Sequence, residues 1–462
     1  MEIDSSVVGG DKISFASRFV SPIKAFARRG VEMVREMGKL GREDPRRVIH
    51  SLKGGLALTL VSLLYYFDPT YTNFGVSAMW AIMTVVVVFE YSVGATLSKG
   101  LNRGMATVLA GVLGVIAHHL ASLSGKIGEP ILLGLLVFLL SASFTFVRFF
   151  PHIKARYDYG MLIFILTFAL VSVSGYRDDE VLELARNRLC TVIIGGVTCF
   201  TVSIAVWPVW AGESLHDLVS LNMEKLGNFL EAFGEAYTET SGNGEVRGEL
   251  DVSLKGYKSI LNSMSNEESL ANFAWWEPCH GRFHFRHPWR QYLKIGTLTR
   301  QCAYRIEALD GCLCNKSPAT PQVWKRLKEA CELVSTESAK TIKHLSNSLK
   351  TMTDSSSSLN IHRESCKAAA KSLGSLLKTT HWNDEADLPS LISVATVASL
   401  LIDIAEFLEK IAESVDELAT LARFKSADSP VVVTPSKKGR TTKVSHVVIV
   451  MDNNNPRRGS IK

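Results

Sequence analysis

Six apolar stretches lie between residues 52 and 211, and few charged residues interrupt them. They cover residues 52–67, 75–91, 101–121, 130–147, 159–176 and 189–211. A helix needs about 20 apolar residues to cross a hydrocarbon layer of ~30 Å, and such runs are uncommon in soluble proteins. The pattern therefore predicts a membrane domain with six transmembrane helices, of which the first two are short.

Residues 212–425 have a different pattern, in which apolar residues recur with helical spacing among charged ones. The spacing predicts amphipathic helices within 215–233, 289–313, 323–349 and 388–421. In the last of these, one stripe is formed by Leu400, Ile404, Phe407, Leu408, Ile411 and Val415. Strand-like alternation is scarce, so we predict an all-α membrane protein whose six spans precede a cytosolic helical domain.

These changes in pattern divide the chain into four parts. Residues 1–51 form a basic N-terminal segment, 52–211 the transmembrane domain, 212–425 the cytosolic helical domain, and 426–462 a flexible polar tail. Residues 239–249 and 353–358 are rich in glycine or serine, so we expect them to be exposed connections.

The charges that flank the spans predict their orientation. Ten Lys or Arg residues stand against four Asp or Glu residues between Lys12 and Arg47, directly before the first span. Basic segments stay on the cytosolic side of a membrane, where they also attract anionic lipid head groups. Because six crossings return the chain to its starting side, we expect both termini in the cytosol and contacts with membrane lipids.

The motifs of common catalytic sites are missing from the sequence. There is no P-loop, no Gly-x-Gly-x-x-Gly, no His-Glu-x-x-His and no Gly-x-Ser-x-Gly. The eight cysteines lie in the last span or the cytosolic half, which predicts no structural disulfide. We therefore expect a transporter rather than an enzyme, with no nucleic-acid partner.

Basic residues at the span ends indicate the sign of the transported solute. Arg103 enters the third span and Arg188 the sixth, with Lys53 and Lys99 as further candidates. A buried cation costs about 2.5–3.5 kcal/mol in a bilayer, so it usually faces a polar cavity or a partner. Rings of such residues select anions. The alternative is that each one anchors its helix at the membrane surface.

Two further groups of residues leave alternatives open. Glu90 ends the second span, and it either pairs with Arg103 or Lys99 or lies at the membrane surface. Four potential zinc ligands stand close together at Cys279, His280, His284 and His287. Their spacing fits no common zinc site, so we favour a rigid loop packed on the helical domain.

Several long motifs resemble those of the aluminium-activated malate transporters, a family of plant anion channels. In the membrane half they are EDPRR at 43–47, AMWA at 78–81, TVVVVFE at 84–90, VGATLSKGLNRG at 93–104, YDYG at 157–160, FILTF at 164–168 and WPVWAG at 207–212. In the cytosolic half they are WEP at 276–278 and FRHPW at 285–289. The resemblance covers about residues 43–425.

This resemblance implies a homodimer with a pore at the subunit interface, which passes malate and inorganic anions passively under voltage control. Arg103 and Arg188 then look like pore-lining anion contacts, supported by Lys99 and Lys53. The positions that the family associates with activation are occupied in this sequence by Glu267, Glu268, Trp276, Glu277 and Pro278.

The resemblance also implies a regulatory cation and a location. Asp178, Asp179 and Glu180 resemble the acidic external loop that binds aluminium in responsive members, and oxygen ligands suit this hard ion. No other cofactor is expected. The plasma membrane is favoured over the vacuolar membrane.

A proton-coupled carrier of organic anions is the alternative function. Such a carrier normally buries a titratable residue in a span, for which Glu90, His118 and His119 are candidates. A membrane-anchored scaffold is a further alternative, but it would not need Arg103 and Arg188 together.

Overall fold

A computed structural model describes residues 28–67, 79–175, 181–238, 256–284, 286–314, 321–354, 356–379 and 388–426. The structural findings below concern these residues. The predicted aluminium ligands Asp178, Asp179 and Glu180 lie outside them, as does most of the C-terminal tail.

Six helices follow one another in the apolar half. They are α1 (Pro45–Phe67), α2 (Met79–Val88), α3 (Val93–Ser122), α4 (Gly125–Val147), α5 (Pro151–Gly175) and α6 (Val181–Ala205). Each overlaps one of the predicted stretches. Four segments are long and apolar enough to cross a membrane, namely Val93–Ser122, Ile127–Val147, Pro151–Val173 and Ala185–Ala205. The described residues thus confirm a membrane protein, while the count of six spans stays a prediction.

The predicted ends of the spans were wrong in several places, because hydropathy marks the apolar part of a helix and not its termini. Helix α3 begins at Val93, where the Ser92 hydroxyl accepts a hydrogen bond from the Ala95 N–H at 3.2 Å. The early start places Lys99 and Arg103 inside the helix. Helix α6 ends at Ala205, before Trp207, which has a φ of 45°.

The second half is also helical. Its helices are α7 (Ala211–Thr238), α8 (Met264–Ala274), α9 (Trp289–Cys314), α10 (Pro321–Thr351), α11 (Ser356–Thr379) and α12 (Leu388–Ala422). The four predicted amphipathic segments fall in α7, α9, α10 and α12 and are confirmed. The prediction of a connection over 353–358 was wrong in part, since α11 begins at Ser356. Two-residue strands, β1 (Thr353–Asp354) and β2 (Lys425–Ser426), pair in parallel.

One hydrophobic core joins the helices of the second half. Its buried side chains come from residues between Ala211 and Ala422. Four members of the predicted α12 stripe are almost fully buried, namely Ile404, Leu408, Ile411 and Val415. Burial of such side chains stabilises the fold by about 1.5–3 kcal/mol each. The amphipathic pattern therefore identified the packing face of α12 correctly.

Close helix contacts in the membrane half depend on glycine. A Cβ atom on Gly114 of α3 would lie 2.7 Å from Val171 of α5, and one on Gly195 of α6 would lie 2.8 Å from the Ala81 carbonyl oxygen of α2. Small residues let helix backbones approach closely in membranes. These contacts bring α3 against α5 and α6 against α2, and all four helices contribute to the site described next.

Candidate functional site

Arg103 is buried between two membrane helices. Its side chain is on α3, and the residue is 5% exposed. Its Nη1 donates a hydrogen bond of 3.2 Å to the Tyr159 hydroxyl of α5. Its Nε is buried and has no hydrogen-bond partner among the described residues. Since a buried unpaired donor is costly, the guanidinium is suited to receive an additional acceptor.

Arg188 lies nearby on α6 and is 7% exposed. Its Cζ is 3.9 Å from the centroid of the Trp80 ring on α2, a cation–π contact. Helix α6 packs against α3, so the positive charge of Arg188 adds to that of Arg103. Neither forms a salt bridge with any described carboxylate. Two like charges with no counter-ion favour the binding of an anion, and a low dielectric strengthens that attraction.

The two lysines have partners of their own. Lys53 of α1 is buried, and its Nζ donates a hydrogen bond of 2.6 Å to the Trp207 carbonyl oxygen beyond the end of α6. A cation near the C-terminus of a helix is stabilised by the helix dipole. Lys99 forms a salt bridge with Glu90, which decides the pairing of Glu90 in favour of Lys99 over Arg103. The structure therefore sets the two arginines apart from the lysines.

Glu277 connects the membrane half to the second half. Its Oε1 accepts hydrogen bonds from the backbone N–H groups of Gly94 at 3.2 Å and Ala211 at 2.6 Å, and its Oε2 accepts one from Gly212 at 3.0 Å. Gly94 is in the first turn of α3, and the other two residues begin α7. One carboxylate thus satisfies the free N–H groups of two helices, where the helix dipoles favour a negative charge.

The environment of Glu277 is enclosed. Burial raises the pKa of Glu277, although the three N–H donors and the nearby His280 favour its charged form. The His280 ring stacks on Trp210 with centroids 3.8 Å apart. A Cβ atom on Gly212 would overlap the indole of Trp289. The glycine at this position is therefore required by the tight packing around the carboxylate.

The structure does not bring the three predicted activation carboxylates together. Glu267 is fully buried and receives hydrogen bonds from Arg300 at 2.5 Å and Ser263 at 2.7 Å, so it forms a structural ion pair within the second half. Glu268 is exposed. Of these three carboxylates, Glu277 is the one whose hydrogen bonds join the two halves.

The other residues of the predicted activation and zinc groups pack around this bridge. Trp276 contacts Tyr157 of α5 edge to face, with centroids 6.2 Å apart. The Pro278 carbonyl oxygen accepts a hydrogen bond of 2.9 Å from His280. His287 is buried against the Tyr292 hydroxyl at 3.4 Å, and burial lowers its pKa to about 4. In the described part of the chain, no three His, Cys, Asp or Glu residues are grouped as metal ligands.

Sequence reasoning missed Tyr159 and Trp80, which hold the two arginines. Both stand in motifs that were noticed, YDYG at 157–160 and AMWA at 78–81. Aromatic side chains are common at membrane surfaces, where they anchor helices. The sequence alone therefore did not indicate that these two contact the arginines. Their distance from the arginines in the sequence left no local signal.

Comparison with known proteins gives a consistent result. The family model described as aluminium activated malate transporter matches residues 38–382. The chain is 57% identical over 402 residues to aluminum-activated malate transporter 2 of Arabidopsis thaliana, covering 86% of this chain and 80% of the relative. It is 53% identical over 407 residues to transporter 1 of that plant, covering 87% and 82%. It is 44% identical over 446 residues to aluminum-activated malate transporter 1 of Triticum aestivum, covering 93% and 95%.

Proposed function

The chain belongs to the aluminium-activated malate transporter family, and we propose that it is a plant anion channel passing malate and inorganic anions down their electrochemical gradient. The family is one of transporters, so the chain is a membrane transport protein and not an enzyme. The names of its relatives support malate as a substrate.

The observation that carries the proposal is the pair of buried arginines. Arg103 and Arg188 come from different helices, interact with aromatic groups, and have no carboxylate partner among the described residues. A carboxylate anion between them would replace its lost hydration with charge-assisted hydrogen bonds. In the proposed channel these two arginines select anions. Lys99 and Lys53 add to the positive electrostatic potential around them.

The driving force needs no coupled ion. With the cytosol about 100 mV negative, a divalent anion that leaves the cell gains about 4.6 kcal/mol, twice the ~2.3 kcal/mol of a single charge. Passive, voltage-dependent flow through a channel is therefore sufficient for malate release. The plasma membrane is the proposed location, with both termini in the cytosol.

The remaining features of the proposal follow from the family resemblance. We propose a homodimer with its pore at the subunit interface, and lipid contacts along the basic N-terminal segment. Aluminium is the proposed regulatory cation, bound outside the cell by Asp178, Asp179 and Glu180. Carboxylate oxygens are suitable ligands for such a hard ion.

A proton-coupled carrier is the second candidate, because a histidine and a carboxylate lie close together in the membrane half. His118 Nδ1 of α3 is 3.9 Å from Glu129 Oε1 of α4, and both side chains are mostly buried. Such a pair is the kind of group that proton-coupled carriers use. It supports the carrier less strongly than the arginines support the channel, because a pair of this kind is equally compatible with a structural contact.

Measurement of malate currents in oocytes separates the two functions. The membrane is clamped, and the reversal potential is recorded while the malate gradient and the external pH are changed separately. A channel predicts a reversal potential that follows the malate gradient and does not move with pH. A reversal potential that shifts with the proton gradient would replace the channel by the carrier.

A further inference from the structure

Two adjoining hollows lie where the membrane half meets the second half. The larger is a groove of about 730 Å³ between the start of α5, the end of α8 and the start of α9. Arg156, Arg286 and Arg290 line it, and its described lining contains no Asp or Glu residue. We call it the capture groove. Its concentration of positive charge distinguishes it from an ordinary gap between helices.

The second hollow is smaller, about 190 Å³, and its lining includes Asn102, the residue before Arg103 in α3. Its basic lining residues are Lys99, Lys154 and Arg156. It shares Arg156, Ala155 and Asn272 with the capture groove, so the two hollows adjoin. It also reaches Tyr159, whose hydroxyl receives the hydrogen bond from Arg103.

Two acidic groups beside this route are paired with cations. Asp158 accepts hydrogen bonds of 2.7 and 3.1 Å from Arg148, and Glu90 is paired with Lys99. Neither Arg156 nor Arg290 forms a salt bridge with a described carboxylate. Arg156 and Arg290 therefore contribute positive charge to the groove that no described carboxylate compensates by a salt bridge.

Arg156 stands at the junction of the two hollows in a fixed orientation. Its Cζ lies 4.3 Å from the centroid of the Trp275 ring, and the Asn102 side chain donates a hydrogen bond of 3.0 Å to its backbone carbonyl. Its Nε is buried without a hydrogen-bond partner among the described residues. Stacking holds the guanidinium while part of its hydrogen-bonding capacity stays available to an anion.

The arginines become less exposed along the route. Arg286 and Arg290 are exposed, Arg156 is half-buried, and Arg103 is 5% exposed. Arg290 also lies in the first turn of α9, where the helix dipole disfavours a cation by about 0.3–1 kcal/mol. Helix stability therefore does not explain this arginine.

We propose that the capture groove collects dicarboxylate anions from the side of the membrane on which the second half lies, and passes them through the smaller hollow to Arg103 and Arg188. This inference rests on the proposed channel function and adds its cytosolic approach. A cleft lined by one sign of charge raises local ion concentration and association rates about 10- to 1000-fold. The groove is an electrostatic funnel rather than a tight binding site.

The test uses the full-length protein in excised inside-out patches, with malate on the cytosolic face. The half-saturating cytosolic malate concentration is measured for wild type and for Arg290→Glu, from the current carried by anions leaving the cytosol. Reversal of one charge near a divalent anion is expected to raise this concentration about threefold at physiological ionic strength. The shift should disappear in roughly 1 M impermeant salt, where the screening length falls to about 3 Å.

Three controls separate the groove from a general defect. Arg290→Lys keeps the charge and should behave as wild type. Lys258→Glu makes the same change of charge on an exposed residue outside both hollows and should cause no shift. Current carried by anions that enter from the external side should be reduced by Arg290→Glu less than current carried by anions that leave the cytosol.

The inference is overturned if Arg290→Glu shifts the malate dependence no more than Lys258→Glu does, or reduces current equally in both directions. If the reversal abolishes surface expression, Arg290→Gln is compared in the same way, with a shift about half as large in logarithmic terms. Absence of malate current in wild type would instead contradict the proposed function.

Discussion

Glu277 is the one of the three carboxylates associated by resemblance with activation whose hydrogen bonds join the two halves. It is 4% exposed, and its two oxygens accept three backbone hydrogen bonds from two helix N-termini. Charge-assisted hydrogen bonds of this kind are roughly twice as strong as neutral ones. The side chain therefore holds α3 and α7 together.

Glu277→Gln should destabilise the protein by about 1–3 kcal/mol, because the amide presents an N–H group to a backbone donor and leaves it unsatisfied. The expected result is a lower midpoint of thermal unfolding in detergent. Glu268→Gln is the matched control, since Glu268 is exposed and its replacement should change stability by less than about 0.5 kcal/mol. Equal effects of the two substitutions would refute the bridging role.

His287 makes stability depend on pH. Burial lowers its pKa in the folded protein from 6.5 to about 4, so between these values the unfolded chain binds a proton that the folded chain does not. Stability is therefore complete above about pH 6.5 and falls as the pH drops toward about 4, by about 3 kcal/mol at most.

Thermal unfolding of purified protein between about pH 7 and pH 5 checks this sign. Wild type should lose stability on acidification, and His287→Gln should lose less, because glutamine does not titrate. His216, whose pKa burial also lowers, is present in both proteins, so His287→Gln should keep part of the loss on acidification. Parallel curves for the two proteins would contradict the assignment to His287.

The four basic residues of the predicted site show what sequence can and cannot establish at this scale. All four were visible as cations at span ends, but their charge alone did not show which of them would contact an anion. The structure separates them by their partners, which are Glu90 for Lys99 and the Trp207 carbonyl for Lys53. Those partners come from other elements, so no local pattern could have indicated them.

At the scale of elements, the junction of α3 with α7 depends on glycines at both helix starts. Gly212→Ala should force Trp289 and Glu277 away from α7, at a cost of about 1–3 kcal/mol. We expect reduced malate current at equal surface expression. Gly196→Ala is the control, because a Cβ atom there meets no described atom within 4 Å. Normal current in Gly212→Ala would show that close packing of α3 and α7 is not needed for malate transport.

Prediction of the elements succeeded where periodicity was strong and failed where it was not. Long helices such as α10 and α12 were found because their apolar stripes continue over many turns. Helix α11 was not among the predicted segments, and its first residues, Ser356 to Ser358, have the composition of a linker. Helix α8 has 11 residues, too few for a clear period. Its position depends on the buried pair of Glu267 and Arg300, a tertiary contact.

At the scale of the whole molecule, the sequence revealed two halves of different character, and the structure reveals how they are joined. The apolar runs and the amphipathic stripes each predicted their own half. The connection through Glu277 links residues separated by 183 positions in the chain, and only the family motif marked it beforehand. The capture groove lies at the same boundary. The proposed anion route and the connection through Glu277 are therefore in the same region.

The central claim is that Arg188 contacts the permeating anion, and the malate-to-chloride permeability ratio tests it most directly. This ratio is obtained from reversal potentials in oocytes for wild type, Arg188→Gln and Arg186→Gln. Arg186 is the matched control, since it is exposed and paired with Glu183 at 3.4 Å. We predict that Arg188→Gln lowers the ratio about tenfold, equivalent to ~1.4 kcal/mol of charge-assisted interaction, while Arg186→Gln leaves it unchanged. An unchanged ratio in Arg188→Gln would remove Arg188 from the anion pathway.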